Sequence, residues 1–181
     1  MRLVDLTTPG SYPVTVAEAR RQCALYDDTT HDELLLSYIV SVTREVEDYT
    51  KSKIMQRSVC LYLDKFPAGD VDLKTYPISS ITSVKYDDSS DTEQTLATSN
   101  YWSSLHGMQP FLRPVNTWPV TYSDKPNAVR ITFVAGYSSV DVVPMDLKQA
   151  MLQRIYEMFE QREPGTSLNK LLAMPHKRFN V

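Results

Sequence analysis

The apolar positions of this chain change their period twice. Over residues 16–49 they recur every three or four residues. Val16, Ala19 and Cys23 form a short stripe, and Leu35, Ile39, Val42, Val46 and Tyr49 form a longer one. A period near 3.6 places such positions on one side of a helix. Two neighbouring amphipathic helices are therefore predicted, the first ending near Leu25 and the second near Tyr49. Both starts have capping-box form, Thr15-Val16-Ala17-Glu18 and Thr30-His31-Asp32-Glu33. In each, a hydroxyl and a carboxylate three residues apart can satisfy amides that the first turn leaves open. The acidic pair Asp27-Asp28 supplies the turn between them.

From Gln56 the period falls to two. Val59, Leu61 and Leu63 alternate with Cys60, Tyr62 and Asp64, as in a strand with one face buried. The clearest strand is 128–135, where Val129, Ile131 and Phe133 alternate with Arg130 and Thr132. Further strands are predicted at 70–75, at 76–86 beginning with Pro77, and at 93–96, 101–102 and 110–113. The run Asp87-Asp88-Ser89-Ser90-Asp91 reads as a turn, because Asp and Ser side chains bond back to nearby amides. Helical spacing returns after Pro144 with Leu147, Ala150, Met151, Ile155, Met158 and Phe159, and Pro164-Gly165 ends it.

This order predicts an α+β protein. Residues 1–55 form a helical part, 56–140 an inserted antiparallel β subdomain, 141–164 a helix completing a small helical bundle, and 165–181 a C-terminal tail.

Composition narrows the function classes. The 181 residues are 42% hydrophobic, enough for a sizeable core. The net charge of −3 argues against a protein that holds DNA by neutralising phosphates over a broad surface. DNA passing nearby without being gripped remains compatible with it. Two cysteines, Cys23 and Cys60, make neither a disulfide framework nor a zinc site, and both fall at apolar positions where a buried thiol is expected. The segment MRLVDLTTPG has no apolar signal region, and no run approaches the roughly 20 apolar residues of a membrane helix. Folding in the cytoplasm, with no membrane partner, is expected.

Reactive chemistry is sparse. His31, His106 and His176 are far apart and lack partners at metal-ligand spacing, and the five glycines form no phosphate loop. The carboxylate groups at Asp27-Asp28, Glu45-Glu47-Asp48 and Asp87-Asp88 are accounted for by turns and helix surfaces. No catalytic, cofactor-binding or metal-binding residue is predicted, and an enzyme is not expected. Tyr101, Trp102, Trp118 and Tyr122 are assigned to core and hairpin packing, with a platform for sugar or a partner as the alternative. The tail carries Lys170, Lys177 and Arg178 and no acidic residue, the reverse of the chain as a whole.

An ordered series of short motifs carries a family resemblance. It begins with Val16-Ala17-Glu18-Ala19, Asp27-Asp28, Asp32-Glu33-Leu34-Leu35, Val46-Glu47, Thr50 and Gln56. It continues with Leu63-Asp64-Lys65-Phe66-Pro67, Tyr76-Pro77-Ile78-Ser79-Ser80-Ile81 and Val84-Lys85-Tyr86-Asp87-Asp88. It closes with Trp118-Pro119, the run from Val129 to Tyr137, Val143-Pro144, Ala150, Arg162-Glu163 and Leu171-Leu172-Ala173-Met174-Pro175-His176-Lys177-Arg178. In this series the chain resembles the head–tail connector (adaptor) proteins of tailed bacteriophages and prophages, in the branch with a β insert. It departs from the pattern at Thr50-Lys51-Ser52, where relatives often carry Thr-Gly-Arg, and at His176, which stands at a tyrosine position.

The resemblance implies a structural virion protein at the head–tail interface, assembled in the host cytoplasm. Such proteins form a ring, commonly of twelve copies, beneath the portal protein. The ring extends the channel for double-stranded DNA, which it does not bind sequence-specifically, and it docks a stopper or other tail-completion protein. The basic tail is the candidate portal-docking element, through Lys170, Leu171, Leu172, Lys177, Arg178 and Phe179. The β insert is the candidate outer or tail-docking surface. The alternatives are another neck protein, a stopper or tail terminator, and from a different class a carbohydrate-binding module built on the sheet.

Overall fold

The computed structural model describes residues 1–161 and 174–178. The predicted α+β class holds, with helices and antiparallel sheets in two compact units. Each unit is made of two separate stretches of chain. Met1–Thr8 and Gln56–Gly136 build a sheet unit, and Pro9–Met55 with the chain from Tyr137 onward build a helical unit.

The sheet unit holds eight strands. These are β1 (Arg2–Asp5), β2 (Arg57–Leu63), β3 (Val71–Asp72), β4 (Ile78–Asp87), β5 (Glu93–Thr95), β6 (Tyr101–Ser104), β7 (Phe111–Pro114) and β8 (Val129–Ala135). Five of them form one antiparallel sheet in the order β1-β2-β8-β4-β5, and three form a second in the order β3-β7-β6. The alternation seen in the sequence sets the core. Val129, Ile131 and Phe133 on β8 and Val59, Leu61 and Leu63 on β2 all turn inward. There they meet Val84 of β4 and, from the second sheet, Val71, Leu112 and Tyr101. Cys60 is buried as well, although it alternates with that set. Strand β1 comes from the stretch that the periodicity assigns to the helical part. Its register on β2, Arg2 opposite Tyr62 through Asp5 opposite Val59, is fixed by pairing with residues more than fifty positions away.

In the helical unit, α1 (Val16–Gln22), α2 (Asp32–Thr50) and α3 (Met145–Gln161) pack against one another. The stripes meet as their spacing requires. Ala19 and Cys23, then Leu35, Ile39, Val42 and Val46, then Leu147, Met151 and Ile155 form one buried cluster with Val14, Ile54 and Val143. The first capping box forms: Thr15 accepts the Glu18 amide at 3.2 Å, and the Glu18 carboxylate accepts the Thr15 amide at 2.7 Å. The second does not. His31 occupies the cap position of α2 without a side-chain bond, while Asp28 takes the Thr30 amide at 2.9 Å. A local Asp turn has won the competition for that backbone. Helix α2 ends on Lys51, which adopts the left-handed conformation at φ 58° and ψ 35° usual for glycine at that point.

Candidate functional site

The described end of the tail closes onto the helical unit. Residues Met174–His176 make one 3-10 turn, and three successive residues then anchor the chain. The His176 ring meets the Asp146 carboxylate, Nε2 to Oδ2, at 2.7 Å. Asp146 sits in the first turn of α3, where the helix dipole favours an anion. Burial pushes its carboxyl up, but the hydrogen bond and charge of His176, with the Leu147 amide, outweigh this and hold it below its ordinary range. Lys177 places its ammonium 4.9 Å from the centre of the Tyr49 ring. The Arg178 amide donates to the Thr50 carbonyl at 2.8 Å, satisfying an acceptor that the end of α2 leaves open. Arg178 as a whole is buried. Of the residues predicted to dock a partner, Lys177 and Arg178 thus lie against the helices of their own unit. Lys170, Leu171, Leu172 and Phe179 lie outside the described residues.

A second constellation was missed because its members are distant in sequence. Asp87, at the end of β4, reads as a turn residue but is buried and ion-paired. Its two carboxylate oxygens accept from the Arg130 guanidinium at 2.5 and 3.0 Å, and Lys125 approaches at 2.9 Å. Arg130 reaches on to Glu93 at 2.9 Å, Lys85 to Glu93 at 2.8 Å, and Lys125 to Asp91. Hydrogen bonds from Arg130 and then Lys125 hold the Asp87 carboxyl far below its ordinary range despite its burial. Each charge therefore has a counter-charge, and no group is left poised for proton transfer. Asp88 does what its sequence context predicts, accepting the amides of Ser90 and Thr92.

The aromatic residues divide. Tyr101 joins the core, as the packing assignment expects. Trp118 stacks on Phe66 with ring centres 4.7 Å apart and planes 4° from parallel, and its indole N–H donates to the Gly69 carbonyl at 2.7 Å. Trp102 and Tyr122 are instead exposed. The stacked pair belongs to the wall of an open cleft of about 1040 Å³, lined by residues 63–68 and 116–124 with Met1. Neither histidine nor cysteine lines it among the described residues. Likewise no group of three or more His, Cys, Asp or Glu among the described residues could hold a metal ion. No described helix is long and apolar enough to cross a membrane.

No protein-family model and no curated protein matches the sequence. Solved structures do match, over nearly the whole of both chains. A chain in a structure described as the neck of an empty GTA particle computed with C6 symmetry superposes with a TM-score of 0.85 at 22% identity, covering 100% of this chain and 97% of that one. A chain from the virion of a native gene transfer agent (GTA) particle gives 0.82 at 22% identity, with the same coverage. One from the neck of a native GTA particle computed with C12 symmetry gives 0.78 at 20% identity, again covering 100% and 97%. The protein shares the fold of these chains across both units.

Proposed function

We propose that this protein is a structural component of the neck of a phage-like particle, acting as the head–tail connector. In this role copies form a ring, of twelve as the family resemblance implies. The ring lies beneath a portal protein, continues the DNA channel and docks a stopper or tail-completion protein. The observation that carries the proposal is the likeness, over 100% of the chain, to a chain from a GTA neck at a TM-score of 0.85. The motif series read from the sequence supports the same assignment independently. Within the neck, helices α1, α2 and α3 favour the connector over a stopper, since stoppers are largely β. The net charge of −3 suits a conduit that DNA crosses without being held.

In this reading the tail is the portal-docking element. Lys170, Leu171, Leu172 and Phe179 supply its contacts, and Lys177 and Arg178 anchor it to the helices. The test is cryo-electron microscopy of particles from cells carrying the gene, with the full chain and with a chain ending at residue 165. The full chain is expected as a ring between portal and tail, and the shortened chain is expected to lose co-sedimentation with the portal. Particles whose necks lack this chain would refute the connector role. Unchanged portal co-sedimentation of the shortened chain would refute the role of the tail.

A further inference from the structure

A subunit repeated around an axis must offer its neighbours fitting faces. The three-stranded sheet presents one suited to a protein partner. Its register sets Trp102 opposite Arg113, Ser104 opposite Phe111, and Phe111 opposite Asp72. The ladder runs on to Val115, whose amide donates to the Asn100 carbonyl at 3.0 Å. Opposed residues of an antiparallel pair share a face, as do residues two apart along a strand. Trp102, Phe111, Arg113 and Val115 therefore line one side, while Tyr101 and Leu112 enter the core from the other. The outer side is uncovered: Trp102 is 63% exposed and Val115 39%.

The polar groups on this face are already satisfied among themselves. Arg113 lies over the Phe111 ring at 5.3 Å and grips Asp70 through two hydrogen bonds, of 2.8 and 2.6 Å. Asp72 pairs with Lys74 at 2.9 Å. The face is thus electrically neutral within a chain of net charge −3. Trp and Arg are the residue types that most often dominate binding energy at interfaces. Here the guanidinium is also held in place beforehand, which lowers the entropy lost on association.

We propose that this face docks a second copy of the chain, with Trp102 as its anchor. The proposal rests on the neck reading, which supplies the repeated copies. The neck reading supplies the second copy, and charge narrows the other occupants. DNA would be drawn to unpaired cations and a basic protein to unpaired carboxylates, whereas two copies each at −3 approach with least repulsion where every charge is already paired. Main-chain pairing can add to the contact, because β6 is an outer strand of its sheet.

The test places a photo-crosslinking amino acid at position 102 of the full chain and, as a control, at exposed Tyr26 of the helical unit. Crosslinking is read in the purified protein over rising concentration and in particles from the producing cell. A chain-to-chain product from position 102 and not from position 26 is expected, and Trp102→Ala is expected to weaken self-association roughly 30-fold. Trp118 fluorescence in the W102A chain verifies that the sheet unit remains folded. Crosslinking from position 102 to a different neck protein, or no chain-to-chain product in either preparation, would overturn the proposal and leave the neck reading intact. A chain-to-chain product in solution from a chain absent from particles would uphold the docking face and refute the neck reading.

Discussion

Replacing Asp87 by Asn should destabilise the sheet unit by about 2–3 kcal/mol at pH 7. The substitution keeps volume and shape but removes the charge to which Arg130 donates two hydrogen bonds and which Lys125 approaches at 2.9 Å. Stripping one partner from a fully buried pair costs about 3–5 kcal/mol. The cost here falls below that range because Arg130 keeps Glu93 at 2.9 Å and its side chain remains 24% exposed to water. Hydrogen bonds to charged groups contribute about 1.5–3 kcal/mol each, which bounds the loss from the other side. The pH dependence has a definite sign. Folding lowers the Asp87 pKa, so the unfolded chain binds more protons as the solution acidifies. The stabilisation is therefore complete above the unfolded value of about 4 and is lost as pH falls below it. Urea unfolding followed by tryptophan fluorescence isolates the sheet unit, because both tryptophans, Trp102 and Trp118, lie within it. The deficit of D87N should be full at pH 7 and clearly smaller at pH 3. Equal midpoints at pH 7, or a deficit unchanged between pH 7 and pH 3, would refute the reasoning.

Three further outcomes are expected. Lys51→Gly relieves a left-handed residue, a strain of roughly 1–2 kcal/mol, against a loss of about 0.4–1 kcal/mol from the looser unfolded chain. Thermal melts of the helical signal should show a net gain of about 0.5 kcal/mol, and a lower melting temperature would contradict this. Thr15→Ala removes the acceptor of the one capping box that forms and should cost about 1 kcal/mol in the same melts. His176→Ala removes the partner that holds the Asp146 carboxyl low, so the NMR titration midpoint of Asp146 should move up. A midpoint that stays in place would mean that His176 does not set the charge of Asp146.

The legible features of this fold were local and periodic. The β8 alternation, the α2 and α3 stripes and the Thr15 box each lie within a few residues of sequence, and the structure repeats them. The Thr30 box had the same letters and failed, because Asp28, two residues earlier, bonds the Thr30 amide. Strand β1 offers four residues and no extended alternation. Only its pairing across the intervening helices makes it a strand. Asp87 belongs with Arg130, 43 positions away, so a reading of its neighbours could show a turn but not an ion pair. For the surfaces, the basic character of the tail was visible, but its contacts with Tyr49, Thr50 and Asp146 were not. The two exposed aromatics, Trp102 and Tyr122, had the same apparent status in the sequence as buried Tyr101. Burial in short strands depends on register with partners that the chain reaches only later.

The placement of β1 has a consequence for dissection and for synthesis. The sheet unit brackets the first two helices, and the helical unit brackets the sheet, so each is interrupted by the other. A fragment cut at residues 56 and 136 would lack β1 and bare the edge of β2, inviting chance strand pairing with other molecules. On the ribosome, β1 emerges before both helices and waits through more than fifty residues for its mate. Helix α3 of the helical unit appears only after the sheet is complete. Neither half can be finished before the other has begun, which couples the maturation of the two along a single chain.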